Sequence, residues 1–174
     1  AGTTAPVESK TTPPAVPVTF DATIKNTGNV ADNYTITVPN VPAGWTVEIF
    51  EKDGSGNCTT TKVTNSGNIA AGAAKSFCVT VTPPAGTPAG DNKNIQVNIV
   101  SPSTTTSDNI TYAVTVAEKR GLSFTPDRQG QVAPGGTVEY VHVLTNSGNV
   151  TEGVNGYLID VNWSSTLSGA NTSV

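Results

Sequence analysis

The two cysteines are the residues with the clearest chemical consequence in this sequence. Cys58 and Cys78 lie twenty residues apart, and each is flanked by a strand-like stretch. An even number of cysteines in a chain rich in threonine and asparagine is typical of an exported protein with a disulfide. We therefore expect a Cys58–Cys78 disulfide, with two free thiols as the alternative. Since the cysteines have no histidine near them, a zinc site is not expected.

A second chemical candidate is the glycine-rich tip around residues 53–57. Asp53, Ser55 and Asn57 place oxygen-bearing side chains at alternate positions, as at the start of a calcium loop. Such loops usually close with an acidic side chain, but the twelfth position counted from Asp53 is Thr64. A plain hairpin tip is the competing interpretation, and the expected cofactor content is none.

Other polar groups give no stronger support to an ion site, and none to hydrolysis. Asn29, Asp32 and Asn33 offer oxygens beside a turn, but asparagine is common in turns for backbone reasons alone. His142 is the single histidine, and no Gly-x-Ser-x-Gly nucleophile elbow accompanies it. The acids fall on predicted solvent-facing positions rather than in the cleft that glycoside hydrolysis needs. We expect no enzyme activity and a half-buried, structural His142.

Aromatic residues raise the possibility of a sugar-binding platform. Tyr34, Trp45 and Trp163 carry rings of the kind on which sugars stack. Each alternates with valine or isoleucine, a pattern that favours the protein core instead. Burial of the tryptophans would remove the main support for a carbohydrate-binding surface.

Charge and hydropathy exclude several kinds of partner. The formal net charge is −4 and the isoelectric point is about 4.8. Apart from the neighbours Lys119 and Arg120, lysine and arginine occur singly, so no basic patch indicates nucleic-acid binding. No apolar run reaches the roughly 18 residues that cross a bilayer. The chain lacks methionine and an N-terminal signal sequence, so we expect a processed protein or a piece of a longer one.

A repeated strand and turn organise the chain. The segment Val18–Val30 is answered by Val138–Val150, displaced by 120 residues, and both end in Asn-Thr/Ser-Gly-Asn-Val. A third copy of the turn begins at Asn65. We expect glycine to supply positive φ in these turns, with asparagine tolerating it. The predicted structural turn residues are Asn26, Gly28, Asn29, Asn146, Gly148 and Asn149.

Alternating apolar residues predict the fold class. Val18, Phe20, Ala22 and Ile24 share one face of a strand, so that strand has one buried and one wet side. Seven or eight such strands, with turn signals every 8–12 residues or so, predict an all-β, immunoglobulin-like antiparallel β-sandwich followed by a partial second β-sandwich. The expected core anchors are Phe20, Trp45, Phe77 and Tyr140.

The same pattern suggests three regions. Residues 1–14 are rich in threonine and proline and are expected to be a linker or mobile lead-in, with a short edge strand near Val7. Residues 15–118 form the first sandwich, and Glu118–Gly121 is a short charged hinge. Residues 119–174 supply three or four strands, about half a sandwich, so we expect further sequence or a partner chain to complete this unit.

Two stretches carry a resemblance to a known family. Pro134–Tyr140 followed by Leu144–Val150 resembles the conserved-repeat, immunoglobulin-like modules of bacterial surface-layer, cell-wall and adhesin-type proteins. Ile24–Val30 with Pro42–Val47 repeats the theme, and the first module also resembles sandwich modules appended to some secreted glycosidases. The resemblance implies a structural spacer at the cell surface, contacting other copies or other envelope proteins, and no catalytic residues. The alternative function is an accessory module that binds carbohydrate or another envelope protein.

Overall fold

The computed structural model describes residues 4–153, and all of its regular elements are β-strands. The strands are β1 Glu8–Thr12, β2 Val18–Lys25, β3 Thr35–Thr37, β4 Thr46–Lys52, β5 Cys58–Lys62, β6 Ala74–Thr82, β7 Asn92–Val100, β8 Ser107–Val116, β9 Leu122–Thr125 and β10 Val143–Asn146. Nothing in this described part is a helix with the length and apolarity to span a bilayer.

Eight of the strands form a sandwich of two four-stranded sheets. One sheet has the order β1-β8-β7-β3 and the other the order β2-β6-β4-β5. Strand β1 pairs with β8 in parallel, and the remaining neighbours are antiparallel. The predicted fold class, an all-β immunoglobulin-like sandwich, is confirmed.

The core between the sheets follows the alternation of the sequence. In β2, Phe20 and Ile24 are buried, whereas Asp21 and Thr23 between them are exposed. Tyr112 of the opposite sheet stacks on Phe20 with 4.6 Å between ring centroids, and its hydroxyl donates a hydrogen bond to the Asp21 carbonyl at 2.7 Å. Burial raises the pKa of Tyr112 to about 12, so this donor keeps its proton over the working pH range of proteins.

Strand β1 lies within the segment that was expected to be a lead-in. It begins one residue after Val7, whose backbone N–H donates to the Thr111 carbonyl at 2.9 Å. The register then runs from Glu8 opposite Tyr112 to Thr12 opposite Val116. Residues 8–12 therefore belong to the sandwich as an edge strand.

The disulfide between Cys58 and Cys78 is present, as the sequence predicted. Its Cα atoms are 5.8 Å apart. Cys58 begins β5 and Cys78 lies in β6, and these two strands are the neighbours of β4 on either side. The bond therefore ties the outermost strand of this sheet to its centre.

Strand register divides the loops between two opposite ends of the sandwich. Lys25 pairs with Ala74 at one end of β2, and Val18 pairs with Val81 at the other. Loops 26–34, 63–73 and 101–106 lie together at the first end, which we call the turn end. Loops 13–17, 38–45 and 83–91 lie at the second, the link end, where the chain leaves β8 through residues 117–121, the link.

The second unit is smaller in the described residues than the sequence suggested. Strands β9 and β10 form a two-stranded antiparallel sheet, and β10 starts at Val143 rather than near Val138. Tyr140, expected as a core anchor, is 40% exposed. The reason is that no second sheet within residues 4–153 covers this unit as Tyr112 covers Phe20. The remaining part of the predicted second unit, residues 154–174 with Trp163, lies outside the described residues.

Candidate functional site

The first repeated turn is built around one buried amide. Asn26 is 2% exposed, and its Oδ1 accepts a hydrogen bond from the Gly28 backbone N–H at 2.9 Å. Its Nδ2 donates to the carbonyls of Val30 at 2.8 Å and Ile69 at 2.9 Å. Because a buried amide with its partners in place is costly to disturb, Asn26 holds this turn against the neighbouring loop.

Both other copies of the turn share the hydrogen bond from the glycine N–H, and the copy at Asn146 also repeats a bond from Nδ2. Asn146 Oδ1 accepts from the Gly148 N–H at 2.9 Å, and Asn146 Nδ2 donates to the Val150 carbonyl at 2.7 Å. Asn65 Oδ1 accepts from the Gly67 N–H at 2.8 Å. The shared Asn-x-Gly sequence therefore encodes an Asx turn in all three copies. The backbone of the third copy differs, since Gly67 has the expected positive φ of 67°.

Asn149, the last residue of the turn in the second unit, fastens that unit to the sandwich. Its Nδ2 donates to the carbonyls of Ala117 at 2.8 Å and Thr87 at 3.0 Å. Its Oδ1 accepts from the Lys119 N–H at 2.6 Å, and its own N–H donates to the Lys119 carbonyl at 2.8 Å. The Ala89 N–H donates to its carbonyl at 3.3 Å. All polar groups of Asn149 thus bind the link end or the link itself.

Glycine at position 148 is explained by close packing against the link. A Cβ atom there would lie 2.4 Å from the Lys119 carbonyl oxygen and 3.1 Å from Arg120 Cα. Neither Gly28 nor Gly148 has a positive φ, so the expectation that these glycines supply a left-handed conformation is wrong. At Gly148 the absence of a side chain lets two backbone segments meet.

An ion pair supports the same junction. Arg120 of the link contacts Glu152 at 2.9 Å and also pairs with Glu118. The Glu152 side chain is partly buried and the Arg120 side chain is more exposed, and ion pairs at a protein surface contribute about 0–1 kcal/mol. They therefore add less than the hydrogen bonds of Asn149.

At the turn end, Asp32 joins three loops. Its Oδ2 accepts from Ser101 Oγ at 2.6 Å, and its Oδ1 accepts from Ser103 Oγ at 3.0 Å and from the Asn33 N–H at 2.8 Å. Its backbone exchanges two hydrogen bonds with Ile69. The hydrogen bond from Ser101 is the main reason that the pKa of Asp32 is lowered. The sequence offered Asp32 as an ion candidate, but here its oxygens receive protein donors.

The calcium candidate at Asp53 adopts a closed hairpin tip. Asp53 Oδ1 accepts from the backbone N–H groups of Ser55 and Asn57, each at 2.9 Å. These bonds, with that from Asn57 the largest contribution, lower the pKa of Asp53. Ser55 therefore approaches the carboxylate through its backbone, and Asn57 through its backbone and through Nδ2, which donates to Asp53 Oδ2 at 3.4 Å. Across residues 4–153, no group of three or more His, Cys, Asp or Glu side chains is placed to hold a metal.

The aromatic candidates for a sugar platform are in the core. Trp45 is 7% exposed, and Tyr34 is buried with it in the same apolar cluster. Trp163 lies outside the described residues. Rings that pack inward are not available to stack on a sugar.

His142 has a structural environment. Its ring stacks on Phe124 of β9 with 4.8 Å between centroids, and the residue is half-buried, as expected. Its Nδ1 is buried and has no hydrogen-bond partner in the described residues. The contact joins β9 to the segment that precedes β10.

Comparison with known proteins gives likenesses at the level of fold. No family model matches the chain, and no curated protein matches it. Similar solved structures include the ASH/PapD-like domain of human CEP192, at 10% identity over 63% of this chain and 79% of that one, with a TM-score of 0.37. A family 123 glycoside hydrolase from Clostridium perfringens matches at 9% identity over 63% of this chain and 22% of its own, with a TM-score of 0.42. The secreted serine protease VesC from Vibrio cholerae matches at 14% identity over 65% of this chain and 22% of its own, with a TM-score of 0.39.

Proposed function

We propose that the chain is a structural spacer of an exported bacterial cell-surface protein, such as a surface layer, stalk or adhesin. In this role it provides an extended, stable scaffold and contacts with other copies or envelope proteins. The observation that carries the proposal is the docking of Asn149 on the link end of the sandwich.

The docking opposes free motion between the two units. The link is short, and Lys119 uses both its backbone N–H and its carbonyl to bind Asn149. Flexible linkers keep their backbone solvated, whereas this one is hydrogen-bonded and packed against Gly148. A spacer keeps a fixed distance between its ends only if consecutive units hold a constant orientation. The contacts at Asn149 and Gly148 favour a constant orientation.

The cysteines and the family resemblance support the location. Disulfides form and persist in oxidising compartments, and Cys58 and Cys78 are bonded. A non-enzymatic role at the cell surface agrees with a chain whose polar clusters join loops together. The alternative, a carbohydrate-binding module, loses support because Trp45 and Tyr34 are buried.

The test compares the tumbling of the two units by backbone ¹⁵N relaxation. In the native chain, amides of β9 and β10 should report the same rotational correlation time as amides of β2 and β6. Asn149→Ala removes three side-chain hydrogen bonds, worth about 2–4 kcal/mol together, so the second unit should then tumble faster than the first.

Asn40→Ala is the matched control, because Asn40 is an exposed asparagine in a loop at the same end of the sandwich and away from the junction. It should leave the correlation times equal. Independent tumbling of the two units in the native chain would overturn the spacer proposal, and specific binding on a glycan array would favour the alternative.

A further inference from the structure

We propose that the turn end of the first sandwich is itself a docking surface, and that its partner is the link end of a second sandwich of the same kind. The inference rests on the proposed spacer function and names the partner that its exposed turn fits. Asn29, Gly28 and Val30 form the centre of this surface.

The repeated turn contacts a link in the second unit but is exposed in the first sandwich. In the second unit, Asn149 and Val150 are half-buried at the junction. In the first sandwich, Asn29 is exposed and forms no hydrogen bond within residues 4–153, and Val30 is 66% exposed. The internal geometry of the turn is the same in both copies, so the first copy presents the docking groups without a docked backbone.

The space beside Gly28 is a second observation that supports docking at this turn. Its φ is not positive, and among the atoms of residues 4–153 a Cβ atom there would approach only Asn26 Oδ1 at 3.2 Å and the Val30 carbonyl at 4.0 Å. At Gly148 the corresponding space is filled by the link backbone, with Lys119 O at 2.4 Å. Glycine at position 28 therefore leaves open the space that a link occupies at position 148.

In the part of the chain that the structure describes, the edge of the adjoining sheet is open as well. In the second unit, β9 follows the link and pairs along β10, with Leu122 opposite Asn146. In the first sandwich the strand at the place of β10 is β2, which is the edge strand of its sheet. A chain arriving from another link end can therefore pair with β2 as β9 pairs with β10.

Docking of this kind extends the molecule in one direction. The turn end and the link end lie at opposite ends of the first sandwich, so a sandwich docked at Asn29 continues the line of the first two units. The carbonyls of Thr87, Ala117 and Lys119 are already engaged by Asn149 in this chain. Within residues 4–153 the link end of the first sandwich is therefore already occupied, so we assign the turn end to the link end of an additional sandwich.

A tandem protein tests the inference directly. Residues 1–121 are followed by residues 2–174, which keeps the 120-residue spacing and places the second copy's Asn29 where Asn149 stands in the native chain. The readout is hydrogen exchange of the junction peptide that contains Lys119 of the first copy and has a unique sequence across the joint. Its Lys119 amide should be protected to the same extent as in the native chain.

Two substitutions in the second copy test whether protection of the junction Lys119 amide depends on the turn. Asn29→Ala should accelerate exchange of the junction Lys119 amide about tenfold or more, because its acceptor is removed. Gly28→Ala should do the same, because a Cβ atom excludes the link backbone. Asn40→Ala should have no effect, and near-native protection of β2 and β6 amides shows that each variant is folded.

The outcomes separate this inference from the function on which it rests. A junction Lys119 that exchanges freely in the tandem, while Lys119 of the native chain is protected, overturns the inference and leaves the spacer proposal standing. Free exchange of Lys119 in the native chain as well overturns both. Protection that survives Asn29→Ala and Gly28→Ala also contradicts the docking geometry.

Discussion

Ala15 adopts a left-handed backbone conformation, with φ of 61°. It is the third residue of a turn closed by a hydrogen bond from the Val16 N–H to the Pro13 carbonyl at 3.2 Å. Gly72 and Gly135 hold the third position of two similar turns, with φ of 73° and 80°. This position requires positive φ, which costs energy for a residue with a Cβ atom. Ala15 is therefore a strained residue in a place that glycine fills elsewhere in the chain.

Ala15→Gly should stabilise the protein. Relief of the left-handed conformation outweighs the extra chain entropy of glycine, so we expect a gain of about 0.5–1 kcal/mol in the free energy of unfolding. Urea denaturation followed by tryptophan fluorescence measures the change. Ala70→Gly is the control, because Ala70 opens one of these turns without positive φ and should not stabilise. An unchanged or lower midpoint for Ala15→Gly would argue against strain at this residue.

Asp32 should make the stability of the turn end depend on pH. The hydrogen bond from Ser101 lowers the pKa of Asp32 from its ordinary value of 3.8, so the folded state binds this proton less readily than the unfolded state. The stabilisation is present above the unfolded pKa and is lost as pH falls through the folded pKa. The difference in unfolding free energy between the native protein and Asp32→Asn should therefore shrink between pH 6 and pH 2.5.

Urea denaturation across this pH range measures that difference. Asp127→Asn, which alters an exposed carboxylate outside the sandwich, should track the native protein at every pH. A constant gap between the native protein and Asp32→Asn would mean that the serine hydrogen bonds do not favour the charged carboxylate.

The sequence predicted the local turns, but it did not predict which distant residues form hydrogen bonds with them. The Asn-x-Gly turns were visible in the sequence because asparagine and glycine act within a few residues of each other. The serine partners of Asp32 were not, since Ser101 is distant in sequence and serine in a loop gives no specific signal. The role of Asn149 was hidden for a related reason: its partners are main-chain atoms, which every residue carries.

At the scale of elements, the disulfide compensates for a weak strand. Strand β5 is an edge strand of five residues, most of them exposed, and its pairing with β4 is interrupted between Phe50 and Lys52. It contributes little apolar burial, so its attachment depends on that one neighbour and on the bond from Cys58 to Cys78. Loss of the bond should free β5 before the rest of the sheet.

Removal of the disulfide should cost about 3 kcal/mol. The estimate follows from the chain entropy of the unfolded loop that Cys58 and Cys78 close. Cys58→Ala with Cys78→Ala should lower the urea midpoint, and hydrogen exchange should accelerate first in β5. The native protein measured with a reductant should reproduce the effect, whereas the double variant should not respond to reductant. Equal stability of the oxidised and double-variant proteins would contradict this role.

The position of a strand could be predicted where its own residues alternate between an apolar face and a polar face. Alternation placed β2 correctly, because its face with Phe20, Ala22 and Ile24 is apolar and meets the opposite sheet. The same alternation misplaced Tyr140, since burial requires a covering sheet as well as an apolar residue. Strand β1 was expected only loosely, because an exposed edge strand has no strong pattern.

At the scale of the whole molecule, the repeat predicted two units in series but not how they meet. The 120-residue spacing identifies equivalent residues, and the structure adds that the turn of one unit contacts the link end of the other. The polarity of this contact distinguishes a directional series from a symmetric pair, because the surfaces that meet are different.

The parallel pairing of β1 with β8 has a mechanical consequence. The chain enters the sandwich through Glu8 and leaves it through Val116, and these termini belong to neighbouring strands that run in the same direction. Tension applied between the two ends would slide β1 along β8, so the hydrogen bonds between Glu8–Thr12 and Tyr112–Val116 would carry the load together. Antiparallel terminal strands would instead be peeled apart one bond at a time. A sandwich with this connection resists stretching along its length even though its edge strand is only five residues long.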